Sequence, residues 1–336
     1  MQALLMKIHI LYIITINQFI VLQKKLSGKN IYMEGKPKSI YQKSEKVLIF
    51  VVLTFFLSYL LIILYLALGG KWIMPGSLIV ATAYMFIPMF VAILMQKVIY
   101  HEPIKEPLGI SFTFNRWFLV AWLLPVMIAF STLGVSLLFP GVSYSPEMAG
   151  VIERFESTLN PEQLEQMKTQ ISTFPLHPFW IGLLQALVAG ITINAIAGFG
   201  EELGWRGFLQ RELSYLNFWK SSLVIGLIWG LWHIPIILQG HNYPDHPQIG
   251  VFMMVIFTLL LSPIFSYIRL KSKSVIAAAI IHGSLNATVG LPLMVIKGGS
   301  DLTVGVTGFA GFVVLAMVNV GILIYDSYFA KEKMII

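Results

Sequence analysis

"ITINAIAGFGEELGWRGFLQREL", residues 191–213, runs ten residues without a formal charge and then sets Glu201 beside Glu202, with Arg206 one helical turn further on. A carboxylate inside a bilayer costs a few kcal/mol on insertion scales, so two of them at the end of an apolar run need a reason. The setting is lipid-like throughout. Of 336 residues, 57% are hydrophobic and 12% are charged, roughly half the charge of an ordinary soluble domain. The apolar residues come in blocks near the ~20 residues that cross a bilayer core.

This pattern predicts an all-α, polytopic transmembrane helix bundle. About eight spans are expected, at 47–68, 77–97, 118–139, 179–203, 221–239, 249–269, 274–296 and 303–325. The chain divides into an N-terminal apolar segment with a basic stretch (1–46), three spans (47–139), an acidic and partly helical loop (140–178), a core of four spans (179–296), and a last span with its tail (297–336). Within the loop, "NPEQLEQMKTQI" places Asn160 as N-cap and Pro161 in the first turn of a helix, and the loop is expected to act as a surface flap. The apolar start, "MQALLMKIHILYIITINQFIVLQKK", is broken by Lys7, His9, Asn17 and Gln18 and has no small-residue cleavage site. A further N-terminal apolar helix, an interfacial helix, and a true start at Met33 all remain open for it.

Charge sets the expected orientation. Seven lysines fall between residues 24 and 46, just before the first span, and Lys97, Lys105, Arg211, Lys220, Arg269, Lys271, Lys273, Lys331 and Lys333 cluster at alternate crossings. The loop 140–178 instead carries Glu147, Glu153, Glu156, Glu162 and Glu165. Positive residues favour the cytoplasmic side, which predicts a multi-pass cell-membrane protein with both termini in the cytoplasm. The net charge of +7 belongs to these loops, so no nucleic-acid partner is expected and membrane lipid is. There is no cysteine, which excludes disulfides, thiolate nucleophiles and cysteine metal sites.

The ionisable residues inside the spans are few: Glu201, Glu202, Arg206, His233 and His282, with Asp326 at an edge. Measured at 1.5 Å per residue from the nearest basic residue, Glu201 lies about 15 Å deep, His233 about 20 Å and His282 about 14 Å. Three helices thus bring polar groups to one level, read as the cytoplasmic half of the membrane. His282 and Asn286 stand four apart, as do Trp229 and His233, and Glu202 and Arg206, so each pair shares a helix face. One carboxylate is expected to be held by Arg206 while its neighbour faces a cavity, and Pro235 loosens the backbone after His233. Asn194, two turns before Glu201, either lines the same cavity or bridges helices. Gly190, Gly198 and Gly200 permit close helix packing. Ser284 has no nucleophile elbow around it, and "GHNYPDHPQ" (240–248) reads as ordinary loop. A carboxylate and an imidazole that share a water can activate it against a carbonyl, and an amide can hold the oxyanion.

The segments "EELGWR" (Glu201, Glu202, Arg206), "WGLWH" (Trp229, His233) and "HGSLN" (His282, Asn286) resemble, in order, the three motifs of the CPBP intramembrane protease family. That family includes the type II CAAX prenyl endopeptidases and the lysostaphin-resistance-like, or Abi, proteins. Arg206 and His233 are 27 residues apart, His233 and His282 are 49 apart, and the likeness covers about 179–296. Trp229 stands where the family commonly has Phe.

The resemblance implies an intramembrane endopeptidase, of glutamate type or a metallo-endopeptidase, acting on a peptide or protein that is prenylated or carries a leader. It implies Glu201 as the water-activating base, His233 as its assistant, and His282 with Asn286 completing the site. Glu202, Arg206 and Trp229 are implied as supporting residues. No metal is expected. Were a divalent ion such as zinc used, His233, His282 and Glu201 or Glu202 would be its ligands, since a catalytic zinc takes three protein donors. A non-catalytic scaffold or bacteriocin immunity protein on the same fold is the alternative, and a transporter a more distant one.

Overall fold

Asn115, Asn217 and Ser274 each start a helix in the same way. Their side-chain oxygens accept the backbone N–H of Trp117, Lys220 and Ile276, taking up donors that the first turn leaves unpaired. All three caps sit beside basic residues and mark one end of the bundle. The structure, a computed structural model, describes residues 38–156, 161–173 and 175–335. The expectations for the apolar N-terminal segment and for an N-cap at Asn160 lie outside the described residues. The body from Lys43 to Ile336 is one unit by its contacts.

The first helices are α1 (Lys38–Ala67), α2 (Gly76–Ile93, carried on by the π turn Leu94–Ile99) and α3 (Arg116–Ser136). The acidic loop holds α4 (Ala149–Glu156) and α5 (Pro161–Thr173). Then come α6 (Pro178–Ile191) and α7 (Ile193–Glu202), which continues through a π segment (Leu203–Leu209) into the turn α8 (Gln210–Glu212). The remainder is α9 (Phe218–Trp232), α10 (Ile234–Ile237), α11 (Pro247–Ser272), α12 (Val275–Thr288), α13 (Leu291–Met294) and α14 (Phe309–Tyr328). The all-α bundle expected from the sequence is present, and among the described residues a single short sheet pairs Ser143 with Lys297 and Tyr144 with Ile296, antiparallel.

Among the described residues, six helices are long and apolar enough to cross a membrane: Gln42–Ala67, Gly76–Ile99, Arg116–Ser136, Pro247–Ser272, Val275–Met294 and Phe309–Tyr328. The other two expected spans are interrupted. Residues 179–203 form two helices because the chain breaks at Thr192, whose φ and ψ are −118° and −104°. The Thr192 hydroxyl donates back to the Val188 carbonyl at 2.7 Å, the kind of back-bond that bends helices. Residues 221–239 become a 15-residue helix and one separate turn, because Pro235 has no N–H to continue the ladder.

The basic residues do collect at one end. There Lys46 pairs with Glu102 at 2.5 Å, Arg211 reaches Glu102 and Glu212, Lys271 pairs with Asp326, and Asn115 donates to the Ser272 carbonyl. At the opposite end, Arg154 of α4 donates to the carbonyls of Gly150, Leu293 and Ile296, and Glu153 pairs with Lys297 at 2.9 Å. The acidic loop is therefore fastened to the residues that follow α12.

The closest packing joins α7 to α12. A Cβ on Gly283 would lie 2.4 Å from Ala195 N, and one on Gly198 would lie 3.1 Å from His282 Cβ. Gly190 against Ser284 and Gly200 against Met85 are equally tight, at 2.8 and 2.7 Å. Only glycine lets these backbones meet, as expected for small residues at membrane helix contacts. Gly283→Leu is expected to cost about 1–3 kcal/mol by overpacking. Thermal unfolding in detergent checks this, and an unchanged melting temperature would show that the contact is loose.

Candidate active site

The end of α7 delivers two carboxylates to opposite duties. Glu202 is fully buried and takes two partners: Arg206 Nη1 at 3.2 Å and His282 Nδ1 at 2.7 Å. A buried carboxylate needs such pairing to stay in an apolar interior. Arg206, also buried, lies over the rings of Trp229 (4.6 Å) and Phe265 (5.1 Å). Cation–π attraction of this kind is strongest when desolvated. Glu202 thus holds the His282 ring from one side while Trp229 and Phe265 pack on it, with ring centroids 5.6 and 5.8 Å away.

Glu201 is anchored by two indoles. Trp229 Nε1–H donates to its Oε2 at 2.7 Å and Trp205 Nε1–H to the same oxygen at 3.3 Å. The other oxygen, Oε1, stands 3.7 Å from His282 Nε2. Trp229 was expected as a supporting residue, and its hydrogen bond puts it in direct contact with the acid. Trp205 was not singled out from the sequence. Its signal was present, since it follows Glu201 by four positions and so shares its face. The turn between them is π-helical, from Leu203 to Leu209, a local winding that concentrates at functional sites.

His233 caps the end of α9, where its Nδ1–H donates to the Trp229 carbonyl at 2.8 Å. A carbonyl can only accept, so Nδ1 carries a proton, and in the neutral ring Nε2 is then the acceptor. The expected neighbourhood of indole and imidazole is present, with ring centroids 5.9 Å apart.

Glu201, Trp229, His233, His282 and Asn286 all line a single cavity of about 400 Å³. Glu202 and Arg206 stand behind its wall. The void does not widen towards the basic end, although the depth count places the cluster in that half of the membrane. Its remaining walls come from the far halves of α2 and α11 and from His241, Asn242 and Thr307, reaching exposed Leu78 and Asn242. Depth counted along a helix gives a level and carries no information about the direction in which space opens. The reading of 240–248 as ordinary loop is corrected for His241, which faces Trp72 edge-on at 5.9 Å while lining the cavity. His246 pairs instead with Asp301 at 2.6 Å. Asn194, left open between two roles, lines the cavity. Ser284 packs against Gly190.

His282 Nδ1 and Glu202 are committed to each other, and His233 Nδ1 to a carbonyl. As placed, no group of three His, Asp or Glu side chains among the described residues could hold an ion.

Fold and site together define a multi-pass helical membrane protein with a buried acid–imidazole cluster. Residues 177–288 match the family described as type II CAAX prenyl endopeptidase Rce1-like. The chain is also 33% identical over 144 residues to CAAX prenyl protease 2 of Methanococcus maripaludis, covering 40% of this chain and 48% of that protein. The match thus spans about half the length of that curated relative. Both likenesses bear out the resemblance to the CPBP family that the three motifs carry, and the family match falls on the stretch that holds them.

Removing one partner of the buried pair exposes its worth. Glu202→Gln leaves the Arg206 charge unmatched and is expected to destabilise by about 3–5 kcal/mol. Adding Arg206→Met should recover part of that loss in the same unfolding measurement. Wild-type stability of Glu202→Gln alone would mean that the pair is solvated.

Proposed function

We propose that this protein is an intramembrane endopeptidase that hydrolyses a peptide bond in a membrane-associated protein or peptide, prenylated or leader-bearing. The observation that carries the reading is the Glu201 carboxylate, held by two indoles and open to a cavity shared with His233 and His282.

With Oε2 occupied by indole N–H groups, Oε1 is the oxygen free to take a proton from water. The acceptor Nε2 of His233 is suited to hold the same water and fix its direction. Loss of the proton to Glu201 lets the hydroxide attack the carbonyl carbon of the scissile bond. The Asn286 amide donates to the oxygen as it becomes negative. Collapse of the tetrahedral intermediate breaks the C–N bond, and the proton held by Glu201 passes to the leaving amine. His282, fixed by Glu202, lies beside Glu201, with Nε2 3.7 Å from Oε1. No step is assigned to a metal.

Glu201→Gln is isosteric and leaves the packing in place, yet it cannot accept the proton. It is expected to abolish cleavage of a fluorogenic CAAX peptide by the purified full chain, a loss of 100-fold or more on the order expected for a general base. Wild-type activity is expected to survive dialysis against chelator within about twofold. Turnover by Glu201→Gln would overturn the assignment of the base, and loss on chelation would overturn the metal-free step.

The location is the cell membrane, with the basic end in the cytoplasm. The cavity mouth then faces the other side. The absence of native cysteine makes this direct to test. In intact cells an impermeant maleimide should label Gln248→Cys and spare Lys220→Cys, and the reverse pattern would invert the orientation.

A further inference from the structure

We infer that Asn194 is a substrate-binding residue of the same site, holding the main chain of the peptide beside the scissile bond. The inference rests on the hydrolase reading above and adds a contact that none of the three motifs contains.

Asn194, Ala197 and Glu201 all line the cavity. Their spacing of three and four residues puts them on one stripe of α7. Asn194 is therefore on the same wall as the acid, about 10 Å further along the helix. Its level on the neighbouring helix is fixed by the close approach of Gly283, where a Cβ would meet Asn194 C at 2.6 Å. Gly283 follows His282 directly and precedes Asn286 by three residues, so Asn194 stands opposite the turn of α12 that carries both. A peptide reaching Glu201 from the cavity mouth passes between Asn194 and Asn286.

The side chain is not spent on the fold. Asn194 is half-buried and, among the described residues, makes no side-chain hydrogen bond, whereas Asn319 on α14 bridges to the Leu260 carbonyl at 2.8 Å. An interhelical role for Asn194 would look like Asn319. An amide carries both a donor and an acceptor, which matches the C=O and N–H that an extended peptide presents. Of the other amides that line the cavity, Asn286 is assigned to the oxyanion and Asn242 lies at the exposed end, which leaves Asn194 for the main chain.

The test uses the purified full chain and a synthetic peptide spanning a terminus present in wild-type cells and lost in Glu201→Gln cells. Asn194→Leu keeps the size and removes the amide. It is expected to raise KM about five- to tenfold, the worth of one hydrogen bond, with kcat changed less. In a second arm, the amide flanking the scissile bond is replaced by an ester. That change should lower kcat/KM by a similar factor for wild type and by less than about twofold for Asn194→Leu. A variant with a lowered melting temperature, unchanged KM and the full ester penalty would overturn the inference and make Asn194 a packing residue. If no termini differ between wild-type and Glu201→Gln cells, the hydrolase reading fails, and the inference with it. If they differ and Asn194→Leu behaves as wild type, the inference fails alone.

Discussion

Charge matching in hydrocarbon governs this molecule. Glu202 and Arg206 are both fully withdrawn from solvent, one helical turn apart, and His282 closes the group from the adjacent helix. Neither ion would be tolerated there alone. Because the carboxylate has two partners on two helices, it ties α7 to α12 at one register and fixes the plane of the His282 ring. That leaves Glu201, its immediate neighbour, turned towards the void and steadied by neutral indole donors. The contrast between the two adjacent acids is what makes the cluster a site as well as a structural tie.

The glycines are the other half of that arrangement. Gly198 and Gly283 let α7 and α12 approach closely enough for a 2.7 Å bond between Glu202 and His282. Packing and electrostatics here are one requirement, since a bulkier contact would push the ring away from its acid.

The class of fold was legible because bilayer crossing imposes a length and a composition, and α1, α2, α3, α11, α12 and α14 satisfy both. That Glu201, His233, His282 and Asn286 come together on one cavity was legible, because polar residues are rare in such helices and their spacing survives folding. What failed depended on three-dimensional detail. The break at Thr192 comes from one hydroxyl turning back on its own helix. Trp205 was hidden among eight tryptophans, since an indole in a membrane helix reads first as apolar bulk. His241 was hidden in a polar loop, and only the folded chain brings that loop over the end of the cavity. The direction of the void was out of reach altogether, because space between helices is not a property of any one of them.

The shortness of α9 affects the surrounding lipid. Fifteen residues rise about 22 Å, against about 30 Å for a bilayer's hydrocarbon. Its outward residues Leu223, Val224, Leu227 and Leu231 are exposed along one flank and so are met by acyl chains. A short apolar flank is accommodated by thinning of the adjacent leaflet. Thinning of this kind would be felt most at the C-terminal end of α9, the end that carries His233.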